Sequence, residues 1–209
     1  ALASLAGDEL KSLEETELAG RTYSTALIGA VGALLAHANS PLSQVNAIVV
    51  VNGPGSFTGV RVGLAAVKGL AEPAQIPVLV LSRLEVLAAK AGIDSAALDA
   101  HRREVFLRHT AEGASHELLA GRVDLDGMRV PPGRVAVCDD AAAELLYAAW
   151  PETKQLRVSP PTAMDAIRLA IPRIRAGDFA DLVLLDAHYL RRSDAEIFGE
   201  PERAAAKAK

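Results

Sequence analysis

Asn52-Gly53-Pro54-Gly55-Ser56-Phe57-Thr58-Gly59-Val60-Arg61 follows the near-continuous apolar run VNAIVVV (45–51), and the fold turns on this junction. A run of that kind suits a strand covered on both faces, as in a parallel sheet. The glycine-rich turn over 53–59 then leads into an expected helix over 60–71. A strand, a glycine loop and a helix start together expose free backbone N–H groups to an anion. The phosphate-loop details are absent. No Gly-Lys-Ser/Thr closes the loop, Lys68 lies far along the helix, and the spacing G-x-G-x-x-x-G is one residue off the dinucleotide fingerprint. A tight turn with Ser56 or Thr58 capping the helix is the favoured reading.

Outward from the junction the chain alternates. Downstream, a strand is expected over 76–81, then a helix opened by the Ser82/Glu85 capping box, running to Lys90 and ended by Gly92. Upstream, residues 1–18 read as a hairpin about Gly7-Asp8. Tyr23–His37 reads as a helix, with Leu27, Val31 and Leu34 at i, i+4 and i+7 and with Ile28 and Leu35 widening the stripe. Asn39-Ser40-Pro41 ends it. Alternation of strands and helices implies an α/β sheet with crossover helices. Beyond residue 95 the pattern loosens. Strands are expected over 96–100, 104–110 and 135–138, with helices over 140–149 and from Thr162 to Arg175, the last kinked at Pro172. A lobe boundary falls near 93–100, and the tail 204–209 is expected to be disordered.

The 209 residues are 50% hydrophobic and 23% charged, which excludes a disordered chain. One cysteine, Cys138, excludes an internal disulfide or a multi-thiolate zinc site and fits a reducing compartment. A net charge of −4 argues against charge-driven binding of nucleic acid. No apolar run reaches membrane-spanning length. The first twenty residues carry five acidic residues against one basic, the reverse of a secretory signal, so a cytoplasmic location is expected.

The two early helices are apolar on more than one face. In the second, Gly59, Gly63 and Ala66 form a bare ridge beside Leu64, Val67 and Ala71. In the first, Ala26, Ala30 and Ala33 accompany Leu27, Ile28, Val31 and Leu34. Such helices are deeply buried or meet another chain. The five histidines show no i, i+4 pair and no HExxH is present, so no metal or catalytic site is expected. Asp99, Asp139 and Asp140 suit turns or a helix start, and the clusters Arg102-Arg103-Arg108 and Arg191-Arg192 suit a solvated face.

The stretches GPGSFTGVRVGLAAVKGLA (53–71) and IPVLVLSRLEVLA (76–88) closely resemble the TsaB family, also called YeaZ. The resemblance continues more loosely through ALDAHRREVF (97–106) and HYLRRS (188–193). It implies the actin-like, sugar-kinase-like ATPase fold of ribonuclease H-like type. The lobes would be residues 1–95 and 96–187, with about 188–203 packing back on the first. It implies a degenerate relative of TsaD that forms homodimers and pairs with TsaD through its first two long helices. With the TsaE ATPase, that complex makes N6-threonylcarbamoyladenosine beside the anticodon of tRNAs reading codons that begin with A. ATP/ADP and metal would belong to the partner subunits, and tRNA would be met through the complex. The implied partner face comprises Tyr23, Leu27, Ile28, Val31, Leu34, Gly63, Leu64 and Val67.

Three departures stand out. Arg83 and Leu87 occupy the HxxxH metal positions of TsaD-like chains and cannot ligate a metal. Tyr23 stands where many relatives carry histidine. The first N-terminal strand of the fold is apparently lacking, which predicts low stability if these residues are the whole molecule. Two other functions compete: a nucleotide-binding transferase or kinase working through Gly53 to Gly59 and Arg61, with carboxylates holding Mg²⁺, and a regulatory homodimer unrelated to tRNA.

Overall fold

The computed structural model describes residues 1–18, 23–129 and 131–191. The expectation for 204–209, Arg192, and residues 192–203 of the segment expected to pack back lie outside them. β1 (Leu2–Ala6) and β2 (Glu9–Glu14) form an antiparallel hairpin, and Gly7 at the turn takes φ +59°. That left-handed conformation is one glycine adopts without steric cost. α1 (Tyr23–His37) follows, then β3 (Ile48–Val51), α2 (Phe57–Ala74), β4 (Val78–Leu81) and α3 (Arg83–Lys90). β3 and β4 run parallel as a two-stranded sheet, and neither hydrogen-bonds to the hairpin.

The expected strand over 45–51 is shorter than read: pairing starts at Ile48, whose N–H donates to the Pro77 carbonyl. Both of its faces are covered. Ile48 and Val50 join the α2 side with Leu64, Ile76 and Val78. Val49 and Val51 join the other side with Ala166 and Ala170 of α6 (Ala163–Arg175). This alternation is the period-two geometry of a strand covered on both faces, with Val50 buried and the other three residues half-covered. α2 is longer than the expected 60–71 at each end. Ser56 caps it through the Gly59 N–H, and Gln75 at φ +52° ends it.

The second sheet has order β7-β6-β5-β8-β9, from β5 (Ala96–Asp99), β6 (Glu104–Ala111), β7 (Ala114–Gly121), β8 (Arg134–Val137) and β9 (Lys154–Arg157). β5, β8 and β9 are parallel; β6 and β7 are antiparallel additions. β7 and β9 are absent from the sequence reading. ASHELLAG carries helix formers, and KQLR is a polar edge segment. β7 is set by the Glu112-Gly113 turn, where both residues have positive φ, as a tight hairpin requires. One face of this sheet packs on α4 (Arg122–Asp126) and α5 (Asp140–Ala149) through Val105, Leu107, Val135, Val137 and Leu146. Trp150 closes that core and donates its indole N–H to the Leu125 carbonyl at 2.9 Å. α3 covers the other face through Leu84 and Leu87. α6 runs unbroken through Pro172 in its last turn. Although it follows the second sheet in sequence, it packs on β3 and β4.

Candidate functional site

α1 is apolar almost all round, yet none of its described side chains is buried, and Ile28 is 55% exposed. Leu27, Val31 and Leu34 are half-covered. α1 packs chiefly on α2, and His37 at its end pairs with Glu14 at 3.6 Å. Tyr23 opens the helix.

α2 divides into an inner and an outer side. Leu64, expected on the partner face, is 6% exposed and sits in the core with Val50, Ile76 and Leu185, and Val67 packs partly against the same cluster. Those two residues serve this chain's own packing, because the helix turns its larger apolar side chains toward β3. Gly63 is half-buried, yet a Cβ built there meets no atom beyond its own helix backbone within 4 Å, and the same holds for the exposed Gly29, Gly32 and Gly69. α1 and the part of α2 that carries Gly63 therefore leave side-chain space that this chain does not fill.

The glycine-rich loop is a joint. The Gly53-Pro54 peptide is cis, Gly53 has φ +126°, and its carbonyl accepts the Arg83 N–H at 2.6 Å. Ser56 is the cap, as one of the two expected candidates; Thr58 is exposed. Gly55 lies close to the Arg83 guanidinium, with 4.0 Å from its would-be Cβ to Nη1. Arg61 spreads over the Phe57 ring at 3.9 Å and donates to the Tyr189 hydroxyl at 2.7 Å.

Next to the loop, Glu117 is a carboxylate with its side chain only 8% exposed. It accepts from Ser82 Oγ at 2.7 Å and Arg108 Nη1 at 2.9 Å, and it bonds His188 Nε2 at 2.8 Å. Arg108 therefore neutralises a buried acid and does not form a free basic patch with Arg102 and Arg103. Arg191 likewise pairs with Glu104. Sequence reasoning missed Glu117, whose partners are its hairpin neighbour Arg108 and two residues from distant segments, Ser82 and His188.

The three candidate carboxylates have local tasks. Asp99 accepts the His101 N–H at 2.7 Å beside a run of positive φ at His101, Arg102 and Arg103. Asp139 caps α5 and accepts the Asp99 N–H, and Asp140 pairs with Arg157. Arg83 is exposed, and Leu87 is fully buried. Among the described residues no three His, Cys, Asp or Glu side chains are grouped to hold a metal. Burial, then the Asp139 charge, pushes the Cys138 thiol up against the pull of Arg83 and Lys90, so it is not an activated nucleophile. Among the described residues no helix is long and apolar enough to cross a membrane.

Comparison with known proteins adds a second line of support. The family described as "TsaD: tRNA N6-adenosine threonylcarbamoyltransferase" matches residues 15–129. The protein named tRNA threonylcarbamoyladenosine biosynthesis protein TsaB of Haemophilus influenzae is 40% identical over 43% of this chain and 41% of its own length. Its namesake in Bacillus subtilis is 38% identical over 41% of this chain and 39% of its own. The chain thus spans about two fifths of these curated relatives. An uncharacterized protein of Mycobacterium tuberculosis is 30% identical over 88% of this chain and 82% of its own. The structure of YeaZ from Pseudomonas aeruginosa superposes with a TM-score of 0.68 at 28% identity, covering 90% of this chain and 92% of that one.

Proposed function

The chain belongs to the TsaB/YeaZ family, and from that premise we propose that it is a non-catalytic subunit in making N6-threonylcarbamoyladenosine in tRNA. It would pair with a TsaD-like transferase, form homodimers, and meet a TsaE-like ATPase and tRNA through the assembled cytoplasmic complex. Its lobes would be those of the actin-like, sugar-kinase-like ATPase fold. ATP/ADP and the metal would be handled by the partner subunits.

The observation that carries this reading is α1. A fifteen-residue apolar helix with no buried described side chain leaves hydrophobic surface in water, a cost that association removes. Gly63 and the α1 glycines let a partner's backbone approach, and Ile28 supplies an exposed anchor. Leu27, Val31 and Leu34 flank it. The candidate carboxylates Asp99, Asp139 and Asp140 are engaged in a turn, a helix cap and an ion pair, which favours a scaffold over a catalyst.

Reconstitution tests the proposal. Threonylcarbamoylation of tRNA is measured with a TsaD-family transferase, a TsaE-family ATPase and all small substrates, with and without this chain. Modification that depends on the chain, together with no turnover by the chain alone, is the expected result. Equal modification without it would remove the proposal.

A further inference from the structure

The glycine-rich loop is the motif that a scaffold role leaves without a task. It lies at the carboxyl end of β3, where parallel sheets commonly receive ligands. That place is taken by the chain's own backbone. The Asn52 carbonyl accepts the His188 N–H at 2.9 Å, and Asn52 Nδ2 donates to the Asp186 carbonyl at 3.1 Å. Gly53 presents a bare Cα to the same segment: a Cβ there would stand 2.9 Å from the His188 carbonyl oxygen. Beyond it, Tyr189 stacks on Phe57 with ring centroids 4.7 Å apart, and its hydroxyl holds Arg61. Phe57 and Arg61 belong to the first turns of α2, where backbone N–H groups lack helical partners and the helix frays most easily.

We propose that residues 186–189 are an intramolecular strap, that the glycine loop is its receptor, and that the seated strap fixes the start of α2 so that Gly63 and α1 are presented to a partner. The last part rests on the partner-subunit reading; the strap itself does not. The physical basis is directional. One face of the strap is held by a backbone hydrogen bond and an Asn52 side-chain hydrogen bond, beside a Gly53 without a side chain, and by the His188 ring on Glu117. The other end grips α2 by a ring stack and a charge-assisted hydrogen bond. Tyr189 is 39% exposed, so the grip can be altered without opening the core.

The test uses the full chain and amide hydrogen exchange at residues 60–64, together with association with a TsaD-family transferase. Tyr189→Ala should raise exchange there and weaken association, each by about tenfold, from loss of the stack and the hydrogen bond. Tyr189→Phe keeps the stack and should show a smaller effect on both. Ile28→Asp should weaken association while leaving exchange at the wild-type rate. Unchanged exchange in Tyr189→Ala overturns the strap. Raised exchange with undiminished association overturns its coupling to the partner face. A wild-type chain that associates with nothing overturns the subunit reading and the coupling, while the exchange result still decides the strap.

Discussion

Replacing Gly63 with leucine separates the partner face from the core. Gly63 lies in the interior of α2, where glycine is roughly 0.8–1 kcal/mol worse than alanine and leucine is nearly as good as alanine. A Cβ at this position meets nothing within 4 Å, so the first added carbon brings no clash. The isolated chain should therefore hold its stability or gain about 0.5–1 kcal/mol. Against a partner helix the same isobutyl group overpacks a contact built on small residues, at a cost of about 1–3 kcal/mol. That is roughly a five- to 150-fold rise in Kd. Urea denaturation of the isolated chain and calorimetric titration with a TsaD-family transferase read the two effects separately. A destabilised monomer would show that Gly63 packs inward after all. An unchanged Kd would show that the outer side of α2 meets no partner.

Three further outcomes follow from the geometry. Glu117→Ala leaves Arg108 and Ser82 without their shared acceptor and should cost about 3 kcal/mol in urea denaturation, with Glu117→Gln milder. Burial pushes the Asp165 carboxyl up, but Lys90 at 2.7 Å and the Thr162 N–H and hydroxyl outweigh it and hold it below 3.8. This stabilisation is present above 3.8 and is lost as pH falls through the lower folded value. Lys90→Met should cost about 2 kcal/mol at neutral pH and move the acid limb of the stability curve to higher pH. Burial and then His116, its cross-strand partner with rings 5.7 Å apart, hold His109 below 6.5. The folded state then binds fewer protons, so stability declines as pH drops below 6.5. In an NMR titration His116→Ala should raise the His109 midpoint only part of the way, since burial remains.

Local signals made much of the fold readable. Ser82 with Glu85 and Thr162 with Asp165 mark helix starts by side-chain bonds within a single turn; the Ser82/Glu85 capping box forms as read, and the structure shows a second one at Thr162. α1 and α5 have the expected bounds because apolar spacing and end signals agree. β7 escaped because its pairing depends on a turn in an unusual conformation and not on β-forming residues. The site shows the same division. Of the expected partner face, Ile28 is exposed, whereas Leu64 lies in the core, because periodicity finds apolar faces without saying which one meets the sheet. The grip of Tyr189 on Phe57 and Arg61 joins residues more than a hundred positions apart, which no local pattern reports.

The most direct measurement is sedimentation velocity of the chain mixed with a TsaD-family transferase, alone and as Ile28→Asp, at concentrations of tens of micromolar. The expected result is a single heavier species for the native chain and two separate boundaries for Ile28→Asp. Independent sedimentation of the native chain, or a heavier species that Ile28→Asp leaves intact, would contradict association through the exposed face of α1.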